Sequence, residues 1–488
     1  MLNDEIATSA VPRGGARGTL VAMCLGLLVA QLDTSVVNLA LAPIARDLGA
    51  GVGQLQWIVD AYNLVYGGLL LTGGTLGDLY GRKRIFLVGT ALFCAGSVLC
   101  ALAADATTLI AARIVTGLGA ALELPVTLAI LTVAFPDPRE RARAIGTWAG
   151  INGLAFVIGP TLGGLLVDHA GWRSVFWLVV PFALASLAVA WRAVTESTGA
   201  AGRRLDVPGQ LLMVTGLTAL TLAAIEGRGW GWGSGATIGC VLLGFGAAAS
   251  FVAYERRVTG GLVPPAFFRK RPFAGALAVI AAMTFGMYGL LFLSPLYLQE
   301  LRGASPLAAG LELLPMSAVF AVVSHYSSRI ADRIGTRLVT AAGMAFMAAG
   351  LIGFARLGQG TALIWVEAWL AVTGIGLGLN TGPVMAVVVG QVPQERAGTA
   401  SGLANTARLL GATLGVAILG TLFAAHGPAG GMAAGFLDGM AAALAVGGGV
   451  MLLGAAAALA TIPGQPPGRD WRAARGAAPS HHPDHHPS

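Results

Sequence analysis

The feature that most constrains this chain is a succession of fourteen long apolar runs, divided by short segments that hold nearly all of its charge. A bilayer core of ~30 Å is crossed by about 20 residues of helix. Runs of that length lie near 18–42, 54–75, 84–104, 107–134, 142–167, 172–194 and 207–226, then near 235–254, 273–298, 306–328, 338–357, 361–391, 397–424 and 436–461. Only 11% of the 488 residues are charged and 56% are hydrophobic, against about 25% charged in soluble domains. A cytosolic enzyme, a disordered chain and a secreted disulfide scaffold are all excluded. The chain reads as an integral membrane protein, all-α, with multiple passes.

Charge tests the count. If the N-terminus is cytoplasmic, 23 Lys and Arg fall in inner segments and five in outer loops, while Arg113 and Arg408 lie inside spans. Cytoplasmic loops carry such an excess, so fourteen spans with both termini cytoplasmic are expected. The net charge of +7 is spread through these loops, which argues against nucleic acid as a partner. The four cysteines sit in apolar runs without a CxxC pair and read as small buried hydrophobes. No metal-ligand cluster, cofactor motif or GxxxxGK[ST] loop is present, so neither a metal site, a bound cofactor nor an ATP-driven step is expected. The histidines of His481–Pro487 read as part of a solvated tail.

The sequence also repeats itself. GTLGDLYGRKR (Gly74 to Arg84) matches SRIADRIGTR (Ser328 to Arg337), pairing Asp78 with Asp332 and Gly81 with Gly335. VTGLGAALELP (Val115 to Pro125) matches VTGIGLGLNTGP (Val372 to Pro383), which sets Glu123 opposite Asn380. Gly150, Gly159 and Gly163 recur as Gly402, Gly411 and Gly415. The offsets stay near 250 residues and in order, so two pseudo-symmetric six-helix bundles are expected, with two inserted helices between them. The implied division is a cytoplasmic N-terminal segment (1–17), a first bundle (18–195), the inserted pair with its linker (196–271), a second bundle (272–461) and a disordered cytoplasmic tail (462–488). Duplicated transporters hold their substrates at the repeat interface, near the bilayer midplane.

Several motifs resemble those of the major facilitator superfamily, in particular its fourteen-helix drug:proton antiporters. LDTSVVNLALAP (Leu32 to Pro43) is similar to their first-helix motif, and GTLGDLYGRKR to the superfamily's loop motif, with Leu79 at a position where Arg is usual. LIAARIVTGLGAA (Leu109 to Ala121) resembles the fourth-helix motif. Gly146, Ala155, Gly159, Pro160, Gly163 and Gly164 resemble the antiporter motif of the fifth helix, with Ala155 where that motif has Gly. The resemblance implies a proton-coupled exporter of hydrophobic drugs in a bacterial inner membrane, working as a monomer on small-molecule substrates that include lipophilic cations. An exporter of an endogenous metabolite and a non-transporting receptor of the same fold are the alternatives. The receptor would need no membrane acid.

Membrane acids are costly, of order 3 kcal/mol on insertion scales, and are functional candidates by default. Removal from water favours the neutral form of an acid, so Asp33 and Asp60, both expected in the outer half, are candidates for proton coupling. Arg113 enters its helix at a similar depth and keeps its charge; it would pair with Asp33 when that acid is ionised. A purely structural pair is the alternative. Glu123 is expected near the midplane, where it would attract a cationic substrate, carry a second proton or bond a neighbouring helix. Trp148, Asn152, Tyr288, Asn380, Asn405 and Arg408 are further candidate substrate contacts. Asp78, Gly81, Arg82 and Asp332 would form a conformational gate, and Gly146, Gly159, Pro160, Gly163 and Gly164 a hinge or seal against proton leak.

Overall fold

The computed structural model describes residues 13–199, 205–258, 265–393, 396–425 and 432–464. No strand occurs among them. Fourteen long helices follow in order: α1 (Arg13–Leu48), α2 (Val52–Tyr80), α3 (Arg82–Ala101), α4 (Ala106–Ala134), α5 (Pro138–Ala170), α6 (Ser174–Ala193) and α7 (Val207–Trp230). Then come α8 (Gly235–Glu255), α9 (Arg271–Leu301), α10 (Pro306–Ile334), α11 (Thr336–Phe354), α12 (Leu363–Gly390), α13 (Ala397–Ala425) and α14 (Met432–Thr461). Thirteen are apolar enough throughout to cross a bilayer. The remaining one, α2, is interrupted by Gln54, Gln56, Asp60 and Asn63. Of these, Gln56, Asp60 and Asn63 are buried against other helices, so it spans as part of a bundle. Helix α1 begins at Arg13, inside the stretch expected to precede the membrane; the helix runs on past the apolar core because its hydrogen bonds need no lipid. The histidine-bearing tail and the last part of the expected 462–488 segment lie outside the described residues.

The two halves pack by one plan. In the first, α1 lies on α5 and α6, α4 lies on α2 and α3, and α3 lies on α6. In the second, α9 lies on α13 and α14, α12 on α10 and α11, and α11 on α14. The match reaches single residues. Gly119 of α4 seats against α3 at Gly89 and Phe93, and its counterpart Gly376 of α12 seats against α11 at Gly343 and Met347. A side chain at either position would run into the facing backbone, and small residues are what let membrane helices approach so closely.

Helix α7 packs on α2 and α13, while α8 touches chiefly α7. Gln210 of α7 donates to the Gly68 carbonyl of α2 and accepts from Thr72. The inserted pair is therefore a strap laid across the α2–α13 junction of the two halves rather than a third bundle.

Candidate functional site

The halves meet along two seams, α2 on α13 and α5 on α10. At the arginine-poor end both seams are bolted. Gln56 of α2, fully buried, donates to the Val416 and Ala417 carbonyls of α13 at 3.0 and 2.7 Å. Gln299 donates to the Leu39 carbonyl at 3.0 Å, which ties α9 to α1. Ser305 and the Leu307 N–H donate to Asp168 of α5 at 2.8 and 3.3 Å, and Gly164 and Gly310 press against the partner half's backbone. At the arginine-rich end the seams part. Positions 139–143 of α5 are largely exposed, Gly146, Gly150 and Gly153 face open space, and Val322 and Tyr326 of α10 are exposed. A cleft thus opens toward one end and closes at the other.

Asp33 and Arg113 form a buried ion pair in the first half. The Arg113 Nη1 donates to Asp33 Oδ1 and Oδ2 at 2.8 and 2.7 Å, and both side chains are at most 2% exposed. Arg113 Nε donates to the Ile58 carbonyl of α2 at 3.0 Å, and its guanidinium lies 4.5 Å from the centre of the Tyr62 ring. One arginine therefore links α1, α4 and α2. Tyr62 in turn packs on Tyr66 and edge-on against Phe93. Beside the pair is a cavity of about 10 Å³, room for about one water, lined by Asn38, Tyr62, Asn63, Arg113 and, from the second half, Tyr288.

Asp60 is fully buried, with Asn63 beside it and no hydrogen bond to either carboxylate oxygen. It lies between Gln56 and Gly67, which both meet α13, and helical spacing puts all three on one face. Asp60 therefore belongs to the seam.

Glu123 lies elsewhere. Its carboxylate sits against Gly26 of α1 and near Thr90 of α3, fully buried and without a hydrogen bond. Its counterpart Asn380 likewise turns toward α11 at Gly343, donating only to the Gly376 carbonyl of its own helix. Each packs chiefly against helices of its own bundle, although Glu123 also lies close enough to Tyr66 of α2 to interact with it electrostatically. Helix rotation explains this: Thr116, Gly119 and Glu123 share one stripe, and that stripe is the one packed on α3.

Arg408 stands on α13 where that helix crosses α2, next to Leu409, which fills the space left by Gly67. Tyr66, Tyr62 and Tyr288 lie near enough to interact with its guanidinium, Tyr66 within hydrogen-bonding reach. Trp148 packs inside the first half with its indole N–H unpartnered. Asn405 donates to the Ser401 carbonyl within α13. The Asn152 side chain lies outside the described residues.

The loop motif is tightly held in the first half. Gly81 has φ +106° and Gly335 φ +91°, a region open to glycine and strained for other residues. Arg82 is bonded to Asp78 at 2.7 Å, and Glu196, from the segment after α6, accepts from the Lys83 and Arg84 N–H groups. The Gly199 N–H donates to the Asp78 carbonyl at 2.9 Å. In the second half Asp332 is exposed, and the turn is held by Arg337 donating to the Ile462 carbonyl at 2.7 Å. In α5, Gly159 and Gly163 sit against Ser35 and Val36 of α1, and the Pro160 carbonyl meets Gly310. A side chain at Gly146 would meet open space. Gln56, Gln210, Gln299 and Glu196 were not singled out from sequence, although a glutamine inside an apolar run is itself an expensive signal.

Two bundles of one packing plan around a cleft closed at one end define a membrane transporter, not an enzyme. The Major Facilitator Superfamily model matches residues 23–416, and the chain belongs to that family. It is 40% identical over 408 residues to the multidrug resistance protein Stp of Mycobacterium tuberculosis, covering 83% of this chain and 76% of that one. It is 37% identical to the methylenomycin A resistance protein of Streptomyces coelicolor (85% and 88% covered) and 35% identical to the tetracenomycin C resistance and export protein of Streptomyces glaucescens (85% and 78% covered). Among solved structures, its fold matches a bacterial homolog of the human lysosomal transporter Spinster in an inward-facing, unoccupied conformation. The TM-score is 0.68 at 18% identity, covering 92% of this chain and 97% of that one. The chain is thus a many-span membrane protein of a bacterial transporter family, working on small molecules.

Proposed function

We propose that this chain exports hydrophobic small molecules, drugs or antibiotics among them, in exchange for protons by alternating access. The observation that carries the reading is the buried Asp33–Arg113 pair. Protonating Asp33 removes half of the ion pair, while Arg113 keeps its charge and its hold on Ile58 and Tyr62 of α2. The change is therefore felt by the helix whose Gln56 and Asp60 line the seam with α13. A proton taken up at Asp33 would loosen one arrangement of α2 and favour the other.

In this reading the arginine-rich end and both termini face the cytoplasm of a bacterial inner membrane, so the cleft is inward-open. The bundles are 18–195 and 272–461, with 196–271 as the inserted pair and linker, and the unit works as a monomer. Asp78, Gly81, Arg82 and Asp332 act as the cytoplasmic gate, and the Gly159–Gly164 stretch as the seal between α5, α1 and α10.

The test uses the full chain in proteoliposomes, with a drug first identified by a susceptibility panel in cells lacking other pumps. Asp33→Asn should lose proton-driven efflux at least tenfold while keeping drug–drug counterflow, which needs alternating access but no proton. Proton-driven efflux at the wild-type rate would overturn the coupling role. Loss of counterflow as well would make the pair structural.

A further inference from the structure

Arg408 is the charge in the cleft that the coupling machinery leaves unused. It lies eleven residues into α13, about 16 Å from the helix start, which is close to mid-membrane. Tyr66 and Tyr288, also far from their helix ends, approach it from opposite halves. No carboxylate among the described residues lies within 4 Å of it, whereas Arg113, one tyrosine away, holds Asp33 in both carboxylate oxygens. Its Nε is buried and has no partner. The groups around it are phenols, which are neutral.

An arginine cannot shed its charge to relieve burial, and a charge at mid-membrane is costly enough that it normally has a partner or a task. Its planar fork of donors matches a carboxylate bidentately. The three tyrosine rings offer flat apolar surface next to that fork. We infer that Arg408, with Tyr66 and Tyr288, is the head-group subsite for an anionic substrate, a hydrophobic or aromatic small molecule bearing one ionised acid. This rests on the exporter reading above and narrows its cargo. An anionic cargo differs from the lipophilic cations that the resemblance implies; Glu123, an acid that would attract a cation, packs against Gly26 of α1 and Thr90 of α3 in its own bundle. The subsite is built from both halves, so an acid bound there bridges α13 and α9 to α2 and bears on the seam that has to part.

The experiment compares three shape-matched probes on full-length protein in nanodiscs: anthracene-9-carboxylate, anthracene-9-carboxamide and 9-(aminomethyl)anthracene. The wild type should bind the carboxylate at least about tenfold more tightly than the other two. Arg408→Gln should erase that preference, and Arg408→Lys should keep only part of it, because a point charge replaces a fork. Tyr288→Phe should weaken all three probes alike by a few-fold. The empty Arg408→Gln protein should unfold at or above the wild-type temperature, since it sheds a mid-membrane charge that no carboxylate neutralises. A lower unfolding temperature would make Arg408 a structural anchor and overturn the proposal. So would equal binding of the three probes by the wild type, or tightest binding of the amine. Binding is read without a proton gradient, so a charge preference that survives absent proton-driven efflux leaves this inference standing while the coupling reading falls. Proton-driven efflux with no charge preference does the reverse.

Discussion

The two halves share a backbone plan and differ in chemistry. Gly117 of α4 meets the Tyr62 backbone, and Gly374 of α12 meets the Met316 backbone in the same way. By that register Arg113 corresponds to Leu370. The α9 stretch that packs on Gly411 and Gly415, as α1 packs on Gly159 and Gly163, runs Ala281 to Phe285 without an acid. The first half thus holds a buried ion pair where the second holds leucine and small or apolar groups. One packing plan tolerates both. The packing plan alone does not call for the charges, which fits the coupling role proposed for the pair in one half only.

The largest expected effect comes from making the first half resemble the second. Arg113→Leu alone strands the Asp33 carboxylate and should destabilise the protein by about 3–5 kcal/mol, as breaking one side of a buried pair does. Adding Asp33→Ala should recover most of that loss, because apolar replacement of a whole buried pair is often neutral or stabilising. Thermal unfolding in detergent measures both statements, and proton-driven efflux should be absent in both variants. A double variant that stays as unstable as the single one would mean that the pair holds the bundle together.

Next in size is a change that should act on both halves alike. Gly119→Ala and Gly376→Ala each push a methyl into the facing helix backbone, and overpacking of this kind costs roughly 1–3 kcal/mol. If the halves are equivalent at this level, the two losses should be of similar size. A clear inequality, read from the same unfolding curves, would break the residue-level equivalence of the halves.

Much of this was legible in the sequence. Apolar length and the arginine ledger gave the spans, and the glycine spacings gave the duplication, because both follow from one-dimensional constraints that the bilayer imposes. Depth was legible too, so Asp33 and Arg113 could be matched before any coordinate was known. Rotation about the helix axis was the harder quantity. Depth alone leaves Glu123 open between a substrate contact, a second proton site and a bond to a neighbouring helix, whereas its seven-residue spacing from Thr116 places it on the stripe that faces α3. The bolts at Gln56 and Gln299 depend on which carbonyl of another helix lies opposite, and that is set by packing across the seam. No local pattern encodes it.

A smaller effect separates the two loop motifs. Arg82→Gln removes a contact to Asp78 inside a network that includes Glu196 and Gly199, whereas Arg337→Gln removes one bond to the Ile462 carbonyl. Efflux should therefore fall more for the first than for the second, by several-fold against less than twofold, with membrane levels unchanged. Equal losses would mean that the gate uses both copies to the same extent.

The smallest effect lies at the helix starts, where the halves again part company. Asp105 caps α4, accepting from the Thr108 N–H and hydroxyl at 2.8 and 2.9 Å. Ala362, at the repeat-equivalent position before α12, makes no cap bond. Aspartate accepts at an N-cap where alanine has nothing to offer the free N–H groups. The bonds from Thr108 hold the Asp105 carboxyl below its usual range. A depressed folded-state value means that the capping contribution is complete above the ordinary aspartate range near pH 4 and is lost as pH falls through the lower folded value. Asp105→Asn should keep the cap and flatten that acid dependence. Asp105→Ala should lower the unfolding temperature slightly at pH 7 and leave it unchanged relative to wild type at the acid end. Installing the missing cap, Ala362→Asp, should raise the pH 7 value by a similarly small amount. If Ala362→Asp instead destabilises the protein, the two helix starts differ in backbone geometry as well as in side chain, and the equivalence of the halves ends at the membrane surface.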